Sequence, residues 1–354
     1  MTENRNYQLK EIKEMLLLQG EDASSLHREA NSLTENLFGK SVFVRGIIEF
    51  SNVCAKNCAY CGIRRDNRKV KRYHMDKDYI KQIIFEAYRD GFRTIVLQSG
   101  EVDTYDHDIT EVIEYVKSKC DIAITLSMGE KSREQYVEWK KAGADRYLLR
   151  IETTNKKLFK TLHPDDDYEN RLKSLLTLKE LGFEAGTGVM IGLPGQTAED
   201  MANDILFFKE HDFDMLGVGP FIPHNDTPLK GHTSTAFEKV LNFVSAMRLV
   251  TYDTNIPATT SMATLERDGR EMALNAGANV IMPNYTPQIY RESYKLYENK
   301  ICTDEDAERT MELTRATVEN AGKVLVMERG DRRARRDEQK QCAGTPVNRP
   351  GDSN

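Results

Sequence analysis

From residue 41 onward the chain alternates between short β-branched runs and amphipathic helical segments. That alternation restricts the fold more than any other feature. The runs are SVFVRGIIEF (41–50), RTIVLQS (93–99), IAITLS (122–127), DRYLLRIE (145–152), FEAGTGVMIG (183–192), DMLGVGP (214–220), NIPATTS (255–261) and ANVIMP (278–283). Several are nearly continuous in apolar residues, as parallel strands covered on the outside by helices are. Between them, Ile80, Ile83, Ile84 and Ala87 share one helical face, and Gly91 stands at the C′ position. Ile109, Val112, Ile113 and Val116 repeat the pattern, and Leu172, Leu175 and Leu176 form a stripe ending at Gly182. Thr197 and Asp200 have capping-box spacing ahead of Met201, Ile205 and Phe208.

Eight such units over about 250 residues predict an α/β chain folded as a (β/α)8 TIM-type barrel. A doubly wound open sheet is the alternative, but no GxGxxG follows the first run. Residues 1–40 read as a short N-terminal helical extension, 41–325 as the barrel with a closing helix over 303–324, and 326–354 as a charged, disordered tail. Polar residues gather at the C-terminal ends of the runs, where chemistry collects in such barrels. They include Glu49 and Ser51, Gln98 to Glu101, Thr125 and Ser127, Arg150 and Glu152, and Thr259 to Ser261.

Charge and composition exclude several classes. Fifty basic against 56 acidic residues give a net charge of −6, which argues against non-specific nucleic-acid binding. The one basic run, RGDRRARR (329–336), lies in the tail. No stretch of about eighteen apolar residues occurs and the N-terminus has no apolar signal region, so no membrane association is expected and a cytoplasmic location is.

Three of six cysteines, Cys54, Cys58 and Cys61, crowd into SNVCAKNCAYCG after the first run. The others, Cys120, Cys302 and Cys342, are scattered, which fits a metal or cluster site in a reducing compartment better than a disulfide framework. Structural zinc takes four protein ligands and a cubane iron–sulfur cluster takes four thiolates, so three thiolates leave one metal position open for a small molecule.

CxxxCxxC after the first strand resembles the signature of the radical S-adenosylmethionine (SAM) superfamily, and Tyr60 before the third cysteine adds to the likeness. The resemblance implies a [4Fe–4S] cluster on Cys54, Cys58 and Cys61 whose fourth iron is chelated by SAM, and one-electron cleavage of SAM to methionine and a 5′-deoxyadenosyl radical. IIEFSNVCAKNCAYCGIRRDN, TIVLQSGE, ADRYLLRIET, GLPGQT, HDFDMLGVGPFIPH, NIPATTSM and GANVIMPNYTP together resemble one family within it, the radical SAM maturase of [FeFe]-hydrogenase designated by the letter E, over about residues 40–302.

That family implies action on a cysteine-bound iron–CO–cyanide unit during assembly of the diiron part of the hydrogenase active centre. It implies a tyrosine-cleaving radical SAM maturase as supplier, a GTPase scaffold as receiver, and an electron donor such as ferredoxin or flavodoxin. By the same resemblance Tyr60, Ser99, Ser127, Glu152, Arg171 and Tyr294 fall to SAM. Ser99 belongs to QSGE after the second strand, and the Arg171 guanidinium is expected to bind the methionyl carboxylate as a fork. Thr125, Arg146, Arg150, Met215, Thr259, Thr260 and Tyr297 fall to the substrate end, with Arg150 also a catalytic candidate. Arg146 could instead pair with Asp145 or another carboxylate. His163, His211 and His224 lack ligand-like spacing and read as loop or surface residues.

Two departures stand out. Some family members carry three further cysteines near the C-terminal side for a second cluster, whereas only Cys302 occupies that region here. Ile151 stands where one branch has histidine, and strand alternation points it outward, away from Arg150 and Glu152. The alternatives are a radical SAM enzyme for an amino-acid-like substrate, related to methylornithine synthase or biotin synthase, and a non-enzymatic metal carrier that ignores SAM.

Overall fold

A computed structural model describes residues 6–233 and 235–335. Helices Leu9–Leu16 and Gly20–Phe38 precede the first strand pair, β1 (Ser41–Val44) and β2 (Gly46–Ser51). Then follow β3 (Thr94–Ser99), β4 (Ala123–Ser127), β5 (Arg146–Leu148), β6 (Glu184–Ile191), β7 (Met215–Pro220), β8 (Pro257–Ala258), β9 (Val280–Ile281) and β10 (Val324–Val326), with helices between them. All strand pairings are parallel. One sheet runs β2-β3-β4-β5-β6-β7 and the other β10-β1-β9-β8. Bridges between Met215 and Asn255 and between Ile47 and Asn284 join the two. The first predicted strand is thus one strand broken at Arg45, and the circuit closes as a (β/α)8 barrel.

Alternation places each face. Ile48 and Phe50, Ile95 and Leu97, Ile124 and Leu126, and Tyr147, Leu149 and Ile151 pack into the core under the helices. Their neighbours Glu49, Gln98, Ser127 and Arg150 are left facing the lumen. The predicted helical faces are buried at Ile80, Ile83, Ile84 and Ala87, and at Ile109, Val112, Ile113 and Val116. The Thr197–Asp200 capping box forms in both directions. Leu176 departs from its predicted stripe: it is exposed, and Leu178 is buried instead.

Two predicted strands are shorter than their sequence runs. In 145–152 the ladder stops at Leu148, and Glu152 turns to φ +64°. In 255–261 the regular ladder is only Pro257–Ala258, beside the single bridge at Asn255, and Thr260 opens a helix, Thr260–Leu265.

Residues 326–335 are not a detached tail. They run across the floor of the barrel, below the N-terminal ends of the strands. Arg329 pairs with Asp145 at 2.8 Å, Arg332 with Asp212 and Asp253 at 2.7 Å each, and Arg335 with Asp214 at 3.0 Å. The carbonyl of Gly330 accepts hydrogen bonds from buried Arg45 and from Asn255, each 3.0 Å. The rest of the predicted tail, with Cys342, lies outside the described residues. Among the described residues, no helix is long and apolar enough to cross a membrane.

Candidate active site

The segment from Asn52 to Arg72 has almost no regular structure, so other devices hold it. The Arg72 guanidinium donates to the carbonyls of Asn52, Ile63, Arg64 and Asn67 at 2.6–3.2 Å, closing the loop on itself. The loop docks on its neighbours through Ala55 N–H to Glu101 O, Ala59 N–H to Leu162 O and Gly62 N–H to Leu296 O. Gly100 permits this approach, since a Cβ there would meet Val53 O at 2.3 Å and Cys54 Cβ at 2.7 Å. QSGE therefore needs its glycine for packing against the cysteine loop as well as for its turn.

A cavity of about 360 Å³ opens at the C-terminal ends of the strands. Its volume lies in the range of small-molecule sites. Cys54, Cys58, Cys61 and Tyr60 line it from the loop, and Ser99, Ser127, Arg150 and Glu152 from the ends of the second to fourth strands of the circuit. Arg171, Met215, Thr259, Thr260, Tyr294 and Tyr297 complete the predicted residues on its wall. Ser99 Oγ donates to the carbonyl of Gly100 at 2.7 Å, and Gln98 donates to the Tyr294 hydroxyl at 3.3 Å.

Two predicted substrate residues are not there. Arg146 faces inward but at the wrong depth. Four residues before Arg150, it sits roughly 13 Å lower at the rise of a strand. It is buried in the floor, bound to Glu184 and Asp331, with Thr94 Oγ1 at 3.1 Å. Asp145, the partner named for it above, pairs instead with Lys117 and Arg329. Thr125, two residues below Ser127, is fully buried beneath the cavity, and its hydroxyl has no partner.

Arg171 lines the cavity, but its fork is already engaged. Nε meets Glu130 at 2.5 Å, one terminal nitrogen Asp166 at 3.0 Å and the other the carbonyl of Arg150 at 2.8 Å. It braces the wall instead of presenting a free fork to a carboxylate. Arg150 is freer. It donates to Val189 O at 2.6 Å and pairs with Glu152 at 3.1 Å, and its Nε is buried without a partner.

The sequence reading missed His163. It is buried, lines the cavity and sits with Nδ1 3.3 Å from Cys58 Sγ. It also missed Lys56, which bridges Glu101 at 3.1 Å and Asp166 at 2.5 Å. The signal for both was three-dimensional: His163 lies 105 residues from Cys58. Cys302 lies apart from the thiols of the loop, with Arg270 at 3.7 Å.

The donor set fits an iron–sulfur cluster. The three cysteines are free thiols at the cavity edge. Burial and the neighbouring Cys54 push the Cys61 thiol up to about 12. Thiols so placed ionise when a metal charge stands beside them. The cavity running past them offers hydroxyls, a carboxylate and a partly unpaired guanidinium to a polar ligand.

A parallel barrel with three thiols at its open end defines a radical SAM enzyme, and the Radical SAM superfamily profile matches residues 48–208. The chain is 51% identical over 305 residues to the [FeFe] hydrogenase maturase subunit HydE of Thermotoga maritima, covering 86% of this chain and 87% of that protein. It belongs to the HydE family. A second relative, the 3-methylornithine synthase of Methanosarcina barkeri, is 26% identical over 83% of this chain and 85% of its own length. The crystal structure of methylornithine synthase (PylB) shares the fold, with a TM-score of 0.82 at 24% identity over 94% of this chain and 97% of that one.

Proposed function

We propose that the chain performs the HydE step in assembly of the hydrogenase active centre, acting on a cysteine-bound Fe(CO)2(CN) precursor. The observation that carries this reading is Arg150, a cation on the cavity wall with its Nε unpartnered, on a chain half identical to a HydE protein. An anionic complex bearing a cysteinyl carboxylate needs such a group, and a guanidinium binds carboxylates in planar fashion. Thr259 and Thr260 add hydroxyls on the same wall.

Cys54, Cys58 and Cys61 would hold the [4Fe–4S] cluster, and the cluster with SAM, when bound, supplies the 5′-deoxyadenosyl radical after one electron arrives from a reductant. Glu152 would accept from the ammonium or the ribose hydroxyls of SAM, a role supported by its place on the cavity wall and by the Tyr60 hydroxyl, which donates to it at 3.3 Å. Arg171 keeps the wall beneath it rigid. Met190, Met215, Ile222 and Leu296 give the cavity an apolar stretch of wall, which would limit water beside a radical. The partners proposed with this role are a tyrosine-cleaving radical SAM maturase, a GTPase scaffold and a ferredoxin- or flavodoxin-type donor, in the cytoplasm.

The test is anaerobic reconstitution, EPR of the reduced protein with and without SAM, and SAM cleavage with and without a synthetic iron–cysteine–CO–cyanide complex. A SAM-shifted spectrum and turnover stimulated by the complex support the proposal. A SAM-shifted spectrum with no response to the complex sinks the substrate and directs attention to amino acids.

A further inference from the structure

His163 closes the helix Lys156–Leu162, its N–H bonded to Phe159 O at 2.8 Å. Its ring stacks on Phe159 at 4.8 Å and makes a T-shaped contact with Tyr60 at 5.7 Å, so two aromatic rings restrict its orientation. Nδ1 points at two groups, Cys58 Sγ at 3.3 Å and Asp166 Oδ2 at 3.4 Å. Asp166 is itself held by Lys56 at 2.5 Å and Arg171 at 3.0 Å, so it stands there as a carboxylate. Nε2 is buried with no partner.

A nitrogen placed between a carboxylate and a metal-bound thiolate faces two acceptors, and so it carries the ring proton. Asp166 thereby favours the Nδ1–H tautomer, and the one proton is shared between its carboxylate and the Cys58 sulfur. We infer that His163 is a positioning residue which donates Nδ1–H to the Cys58 thiolate and sets the reduction potential of the cluster. This rests on the assignment of a cluster to Cys54, Cys58 and Cys61. The physical reason is charge. The reduced cluster carries one more negative charge than the oxidised one, and a donor aimed at its sulfur stabilises it. Of the three cysteine sulfurs, Cys58 would then be the one with a histidine donor, making the cluster electronically unsymmetrical.

The competing arrangement uses the same atoms differently. Cys58, His163 and Asp166 bring their ligand atoms within 4.8 Å of one another, close enough to hold a single metal ion. That would remove Cys58 from the cluster.

The experiment compares the parent with His163→Phe, which keeps a stacking ring and drops the donor, and His163→Gln, which restores one. All are reconstituted anaerobically with iron and sulfide. Iron and sulfide content reads the cluster assignment, and an EPR-monitored redox titration reads the histidine. The expected result is four iron and four sulfide per chain throughout. The phenylalanine variant should be harder to reduce by a factor on the order of ten, about 59 mV for a one-electron couple. The glutamine variant should fall between. Equal midpoint potentials in all three overturn the inference while leaving the cluster in place. Should the phenylalanine variant take up no cluster, the parent labelled with ¹⁵N-histidine decides. A ¹⁵N coupling to the reduced cluster in pulsed EPR that disappears in His163→Gln supports the donor, and its absence from the parent overturns it. One metal ion per chain without sulfide, in the parent, overturns the cluster assignment as well.

Discussion

Arg150 and Glu152 form an ion pair of 3.1 Å with a single residue between them in the chain. Strand alternation puts both on the lumen side, with Ile151 in the core behind them. Glu152 then adopts φ +64°, a conformation a glutamate takes only when its surroundings hold it there. The Tyr60 hydroxyl and the backbone bridge to Val189 supply that hold. The proposed radical end and the proposed substrate end of the cavity therefore meet at one ion pair.

Glu152→Gln keeps the side-chain volume and removes the charge. If this carboxylate receives SAM, affinity falls about 10- to 150-fold, the value of roughly 1.5–3 kcal/mol for a charged hydrogen bond. Cluster content should not change. SAM titrations monitored by EPR of the reduced protein give the affinity, and an unchanged affinity removes Glu152 from the SAM site.

Any one of Cys54→Ala, Cys58→Ala and Cys61→Ala should abolish SAM cleavage and lower bound iron and sulfide, with the far-ultraviolet CD spectrum retained. The barrel core does not depend on these side chains. Cys302→Ala should leave iron content at the parent value. A comparable iron loss from Cys302→Ala would bring that thiol into the cluster after all.

Arg146→Met should behave as a stability variant. It leaves partly buried Glu184 without its cation and takes from Asp331 one of two, since Arg329 stays at 3.1 Å, so the loss should reach at most the roughly 3–5 kcal/mol of a broken buried pair. Denaturant midpoints should fall while SAM affinity of the folded protein stays at the parent value. A normal midpoint with lost activity would restore the lumen role.

Asp204 predicts a pH dependence. It is buried, with one oxygen accepting from Thr154 N–H and Thr154 Oγ1 at 2.6 Å each and the other oxygen unpartnered. Burial pushes its carboxyl up to about 7, against about 4 in an unfolded chain. The folded state thus binds the proton more tightly. The resulting stabilisation is fully present below about pH 4 and is lost as pH rises through about 7. Denaturation of the parent and Asp204→Asn at pH 5 and pH 8 should show a steeper loss in the parent. Parallel losses in the two proteins dismiss Asp204 as the source.

Periodicity carried the barrel, because every strand repeats the same inward and outward rule. It carried the face of Arg146 and Arg150 equally well, yet depth along a strand depends on where the ladder starts, which alternation does not encode. The cysteine loop was legible from its spacing, and its support was not. Arg72, Lys56, Asp166 and His163 act through the closed loop and through chain segments brought from a hundred residues away. The basic run near the C-terminus read as part of a disordered tail because its partners, Asp145, Asp214 and Asp253, are scattered along the chain ahead of three different strands. A ring of such acids facing one direction is a signal that sequence spacing alone contains, once the barrel is assumed.

The floor of the barrel has a temporal consequence during synthesis. Residues 329–335 leave the ribosome after every strand of the barrel, and domains fold as units while the chain emerges N-terminus first. Until they arrive, Asp145, Asp214 and Asp253 converge without these arginines, and buried Arg45 lacks the Gly330 carbonyl. Closing the base therefore follows synthesis of every strand of the barrel, and the acids of the floor are neutralised by chain that comes after all of them.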